Sequence, residues 1–232
     1  MPDAPETTAV LYSGGLDSAV LVASEARTRI VQPMYVSVGL AWEETELAAA
    51  ERALQSAPFA GRVLPVQRLA ASVADVLPES HWALRGSPPA YDTPDEDVYL
   101  PGRNLLLLAK AALACAMRGI HRIAIGPLAG NPFPDATPAF LAAMARSASL
   151  GLAHEIEIAA PFAALHKMDV IRLGYTLGVP FALTMSCMKP IGWLHCGLCS
   201  KCRERRDAFE EAGVTDPTAY DAPSPRLSTS GS

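Results

Sequence analysis

An apolar run that stops on a pair of glycines constrains this chain more than any other feature. Residues 9–12 read Ala-Val-Leu-Tyr, and Ser13-Gly14-Gly15-Leu16-Asp17-Ser18 follows at once. A short apolar run bounded by glycines reads as a buried strand entering a turn. Residues 17–26 then read as a helix. Gly14 and Gly15 have no Cβ, so the backbone there can turn sharply and approach a ligand closely. The helix behind the turn aims its unpaired N–H groups and its positive dipole end at the loop. An anion the size of pyrophosphate fits that environment, and the Ser13 and Ser18 hydroxyls can donate to it as well. Asp17 would repel phosphate directly, so its expected task is to hold Mg²⁺ or to shape the loop. This is not a Walker loop, because no Gly-Lys-Ser/Thr follows. The competing reading is a plain strand–turn–helix junction capped by serines.

The rest of the chain repeats the alternation. Strands are expected at residues 30–38, 62–69, 121–125 and 155–158, and helices at 43–55, 104–118, 137–150 and 167–177. The helix at 104–118 is apolar nearly all round except for Lys110 and ends at Gly119. It fits either burial in a core or a homodimer interface. Residues 78–102 are rich in proline and carboxylates and read as a long functional loop or lid. A second loop, 127–138, is rich in Pro, Gly and Asn. Strands alternating with helices predict an α/β fold, a parallel sheet with helices on both faces. Ligands of such sheets bind beyond the carboxyl ends of the strands. The Ser13–Ser18 loop and the loop opening at Gly126 both lie at such ends.

The cysteines carry a second signal. Four of the five lie close together, at Cys187, Cys196, Cys199 and Cys202. Two overlapping Cys-x-x-Cys pairs plus a fourth cysteine suit a tetrahedral four-sulfur Zn²⁺ site, with Gly197 permitting the tight turn. A disulfide or an iron–sulfur cluster is the alternative. His195 could replace one ligand or be an ordinary surface residue. Cys115 reads as a small buried apolar residue. The formal net charge of −5 offers no basic field for long nucleic acids, so nucleic acid is not an expected partner. No apolar run reaches membrane-spanning length, and the first residues lack the pattern of a signal peptide. The expected location is the cytoplasm.

The six-residue loop is similar to the signature of the PP-loop ATP pyrophosphatases. Taken with the cysteines, Tyr99-Leu100-Pro101-Gly102-Arg103-Asn104, Pro134-Asp135, Lys167 and the stretch 203–220, the chain resembles the 7-cyano-7-deazaguanine synthase family. The resemblance implies a PP-loop ATP pyrophosphatase domain over 1–185, a zinc-binding segment over 186–220 and a disordered tail over 221–232. It implies an ATP-dependent carbon–nitrogen ligase of queuosine precursor synthesis, with ATP, Mg²⁺ and Zn²⁺ as cofactors. A carboxylate on a small-molecule substrate would be adenylated, and ammonia would displace AMP. Tyr12, Ser13, Gly14, Gly15, Leu16, Asp17, Ser18, Arg103, Asn104, Gly126 and Lys167 would then hold ATP. Asp17, Arg103 and Lys167 would be catalytic, and Asp135 would touch the substrate. Asn104 also fits a simple helix cap, and Trp42 fits either a packed aromatic or a ring stacked on adenine.

Departures from the family pattern leave the acceptor open. The family carries Gly-Gln-x-His where this chain has Gly39-Leu40-Ala41-Trp42, and Cys-Arg where it has Ala136-Thr137. A diverged PP-loop enzyme acting on another small molecule, a protein or tRNA is therefore a second reading, and a non-catalytic nucleotide-binding subunit a third.

Overall fold

The computed structural model describes residues 6–225. Five strands, β1 (Thr7–Leu11), β2 (Ile30–Ser37), β3 (Gln67–Ala70), β4 (Arg122–Ala124) and β5 (Glu157–Ala159), form one parallel sheet in the order β3-β2-β1-β4-β5. Side chains alternate across the sheet as the pleat requires. On β1, Val10 points into one core with Tyr12, Val20, Leu21, Ile171 and Phe209. Its neighbours Ala9 and Leu11 point into the other, with Met34, Leu108 and Ile123. Helices α1 (Leu16–Glu25), α6 (Lys167–Thr176) and α7 (Ser200–Ala212) cover the first face, and α4 (Arg103–Ala116) and α5 (Pro138–Leu152) the second. This is the α/β architecture expected from the alternation.

The strand order reverses between β1 and β4, and the chain leaves both strands there for opposite faces. A crevice opens at that switch point, beyond the carboxyl ends of the strands. Helix α2 (Glu43–Ala53) and the short α3 (Trp82–Arg85), which lies within the long loop, wall its far side.

Three expectations change. The third strand was expected at 62–69, but only a lone Val31–Val63 bridge forms before β3 starts at Gln67. Pro33 of β2 has no N–H to give that ladder, and Pro65 lacks one on the facing chain. The Gln32 side chain fills the gap, donating to the carbonyls of Pro33 (3.1 Å) and Pro65 (2.9 Å). Helix α4 is buried along Leu108, Ala111, Ala112 and Cys115, but it exposes Leu105, Leu113 and Met117. Residues 221–225, placed with the tail, are packed: Asp221 N donates to His195 O and Tyr91 Oη bonds Ser224 Oγ. The remainder of the expected tail, 226–232, lies outside the described residues.

Close packing of α6 on α1 sets the next part of the site. A Cβ on Gly174 would stand 2.5 Å from both Phe181 and Val20, so only glycine lets the helices meet at this distance. That contact places the first residue of α6, Lys167, beside the first turn of α1. Among the described residues, no helix is long and apolar enough to cross a membrane.

Candidate active site

The loop after β1 has the geometry its glycines predicted. Gly14 adopts φ +78°, and a Cβ there would lie 2.7 Å from Ala50 Cβ and 3.0 Å from Glu46 O. Gly15 caps α1 without a side-chain hydrogen bond, so the helix start faces the crevice with its own N–H groups. The serines fix the turn. Ser13 N donates to Ser18 Oγ (3.3 Å), Gly15 N to Ser13 Oγ (3.3 Å), and Ser18 Oγ to Gly15 O (3.1 Å). Leu16 is core. The Tyr12 hydroxyl donates to Ala50 O (3.1 Å), so Tyr12 braces α2 and offers the crevice its backbone alone.

Opposite charges gather at the helix start. Lys167 Nζ donates to Asp17 Oδ2 (2.6 Å) and to Glu204 Oε1 (2.8 Å), and Lys201 Nζ donates to Glu204 Oε2 (2.5 Å). Burial alone would lower the Lys167 pKa, but Asp17 and Glu204 more than reverse this and keep the ammonium charged. Burial opposes ionisation of Glu204, and the two lysines overcome it and hold its pKa low. Among the described residues, Asp17 Oδ1 and Arg103 Nε are buried without a hydrogen-bond partner. A buried carboxylate oxygen and a buried guanidinium N–H left in this way call for a cation and an anion respectively.

Arg103 opens α4 behind Gly102, which takes φ +72°. Asn104 is not the helix cap, a place Gly102 takes. Its N–H donates to Asp135 Oδ2 (2.9 Å) and its amide to Asp135 O (3.2 Å), so the pair locks the loop after β4 onto α4. Asp135, expected to touch substrate, is buried and engaged by Asn104. Gly126, two residues beyond β4, lines the same crevice as the phosphate loop. Together these residues line a crevice of about 600 Å³.

Two lining residues, Glu46 and Phe133, carried no sequence signal of their own. Glu46 of α2 accepts from Tyr35 Oη (2.8 Å). Burial raises its carboxyl pKa to about 7, against the pull of Arg103. Tyr99 and Phe133 stack at 4.9 Å, and Trp42 stacks on Trp82 at 5.9 Å. Trp42 is thus a packed aromatic, one of the two outcomes expected for it. Only the fold brings these side chains, far apart in sequence, to one crevice.

The thiols converge as expected. The sulfurs of Cys187, Cys196, Cys199 and Cys202 all lie within 4.8 Å of one another and are buried. None is in a disulfide. Three of the separations, 4.0, 3.9 and 3.5 Å, lie near the edge of about 3.8 Å that a tetrahedral ion with 2.3 Å bonds to sulfur requires. That spacing suits a metal ion held by the four sulfurs. Lys189 N, Cys196 N and Leu198 N donate to the sulfurs, as anionic thiolates need. His195 is neither a ligand nor a surface residue. It is buried, its Nε2 accepts from Ser186 N (3.1 Å), and burial with nearby Arg205 lowers its pKa to about 3.

The model of the family described as queuosine biosynthesis protein QueC matches residues 7–213. The chain belongs to the QueC family. It is 36% identical to a 7-cyano-7-deazaguanine synthase of Anaeromyxobacter dehalogenans, over 91% of this chain and 94% of that one. It is 33% identical to a 7-cyano-7-deazaguanine synthase of Methanopyrus kandleri, over 92% and 98% respectively. A looser likeness in shape, at TM-score 0.48 and 12% identity, is to a U34-tRNA thiolase of Methanococcus maripaludis, over 90% of this chain and 66% of that one.

The departures from the QueC pattern noted above have structural consequences here. Leu40 and Trp42 join an apolar cluster with Val38, Met185 and Met188. Glu43 holds that turn, accepting from Val38 N (2.9 Å) and Gly39 N (3.0 Å). Thr137 caps α5 by accepting from Phe140 N (3.2 Å), so it forms part of a helix end and not of a substrate fork.

Proposed function

We propose that this QueC-family chain is an ATP-dependent ligase that converts 7-carboxy-7-deazaguanine to 7-cyano-7-deazaguanine. The observation that carries the reading is a glycine-opened helix start, with unpartnered Asp17 Oδ1 and Arg103 Nε, in one crevice with a stacked aromatic pair. Ser13, Gly14, Gly15 and Ser18 present donors for the β- and γ-phosphates. Asp17 would hold Mg²⁺, which when bound screens phosphate charge. Arg103 and Lys167 offset the charge that builds up as pyrophosphate parts from the α-phosphorus.

The acceptor carboxylate oxygen attacks the α-phosphorus and pyrophosphate leaves. Ammonia then adds to the acyl carbon, AMP leaves, and the nitrogen sheds a proton. Glu46, with a carboxyl that titrates near neutrality, is suited to receive it. A second adenylation, now of the amide oxygen, prepares the loss of that oxygen that leaves the nitrile. Tyr99 and Phe133 offer flat faces to a bicyclic ring. The four thiols would hold Zn²⁺ in a closed site with no open position, so the ion acts on the fold and not on the substrate.

The test is turnover of purified protein with Mg·ATP, ammonium and 7-carboxy-7-deazaguanine. Nitrile, AMP and pyrophosphate are expected. The apolar wall at Leu40 and Trp42 favours a second reading, a PP-loop enzyme adenylating a different acceptor. AMP released only with another acid would establish that reading in place of the first. An Asp17→Ala variant that leaves a measured cellular role intact would argue against both and for a non-catalytic nucleotide-binding subunit.

A further inference from the structure

Glu204 is out of place beside a polyphosphate site. Its carboxylate lines the same crevice as Ser13 and Ser18, where a negative charge opposes the ligand. With Lys167 alone as partner, Glu204 would cancel the one lysine that the phosphates need. Lys201 restores the balance. Lys201 and Glu204 stand one turn apart on α7, and Glu204 bridges the two lysines at 2.5 and 2.8 Å. With Asp17, which Lys167 also contacts at 2.6 Å, the set would carry −1 without Lys201 and is neutral with it. A cation on the second Asp17 oxygen then leaves the group net positive toward a polyphosphate.

A metal held by the thiols would also fix the backbone on both sides of Lys201. Lys201 lies between Cys199 and Cys202, two buried members of the thiol cluster, and its side chain is about one-third exposed at the crevice wall. A lysine on a helix start pinned on both sides loses little freedom on binding an anion.

We propose that Lys201 is a second cationic ligand for the pyrophosphate of ATP, beside Lys167, and that Glu204 tempers the pair so that pyrophosphate can leave. This rests on the ATP-dependent reading above. It assigns opposite effects to neighbouring residues, which a purely structural salt bridge would not have. The experiment measures inhibition of AMP formation by inorganic pyrophosphate, and calorimetric binding of Mg·pyrophosphate, for the metal-loaded wild type and for Lys201→Met, Lys201→Arg and Glu204→Gln. Metal content and melting temperature are checked for each.

Lys201→Met should weaken pyrophosphate about tenfold, the worth of one charge-assisted contact, and Lys201→Arg should recover most of it. Glu204→Gln should tighten pyrophosphate by roughly threefold or more, since a charge opposing the ligand is gone. If Lys201→Met binds pyrophosphate as the wild type does, or if Glu204→Gln weakens it, the bridge is only a brace and the proposal is overturned. A wild type that binds no Mg·ATP would instead overturn the nucleotide reading itself.

Discussion

Glu46→Gln isolates one buried ionisation and makes a signed prediction. Glu46 is 8% exposed, donates nothing in its ionised form, and receives the Tyr35 hydroxyl at 2.8 Å. Burial raises its pKa from 4.5 to about 7; Arg103 and the Tyr35 hydrogen bond pull the other way, and Glu43 adds to the rise. The folded chain therefore binds more protons than the unfolded chain between those values, and stability falls as pH rises through that window. The favourable share is complete below pH 4.5 and is lost above pH 7. A gap of about 2.5 pH units corresponds to about 3 kcal/mol. Glutamine keeps the shape and accepts from Tyr35 but does not titrate. The difference in unfolding free energy between variant and wild type should therefore move by about 3 kcal/mol in favour of the variant from pH 4.5 to pH 8. Every other titrating group is common to both chains and cancels. Urea unfolding at a series of pH values measures the difference directly. A difference that stays flat across the range would mean that Glu46 ionises in the crevice as it does in water, and its assignment as the neutral-pH base would go with it.

Gly14→Ala should destabilise the fold by about 2–4 kcal/mol, from a left-handed backbone and a Cβ driven against Ala50, lowering the melting temperature by roughly 5–15 °C; a change within the error of calorimetry would contradict the loop geometry. Gly174→Ala should cost about 1–3 kcal/mol by overpacking against Val20 and Phe181, and by shifting α6 it should raise KM for ATP more than it lowers kcat. An unchanged KM would show that α6 does not position Lys167. Elemental analysis should find one zinc per chain in a colourless protein. Chelation should lower the melting temperature and slow AMP formation together, whereas iron with visible absorption would refute the zinc assignment.

The phosphate loop was legible because its chemistry is local. A strand end, two glycines and a helix start are contiguous, and the φ of Gly14 is what that pattern requires. The thiol site was legible because chelation fixes spacing. The gaps have physical causes too. Helix α7 escaped notice because its first turns, Ser200-Lys201-Cys202-Arg203-Glu204-Arg205, read as charged residues around a metal knuckle, and its apolar stripe of Ala208, Phe209 and Ala212 comes late. The shortened β3 depended on Pro33 and Pro65 lying close enough for the Gln32 amide to reach both carbonyls, which no local pattern reveals. Glu46 looks like one of many exposed helix glutamates until the fold buries it beside Tyr35.

What neither motif shows alone is that they are one construction. Met185 N donates to Gly14 O at 2.9 Å, so the phosphate loop is tied to the chain two residues before the first thiol, Cys187. From α7, buried Arg205 reaches back over the same stretch, donating to Phe181 O (2.8 Å), Thr184 Oγ1 (2.9 Å) and Ser186 Oγ (3.1 Å). A metal joining Cys187 to Cys199 and Cys202 would close this loop of contacts, clamping the segment under Gly14 to the helix that carries Lys201 and Glu204. Remove the ion, and four buried thiols with nothing between them no longer fix where α7 begins. A metal held by the four thiols would thereby bear on the phosphate loop through a path of hydrogen bonds and one helix start.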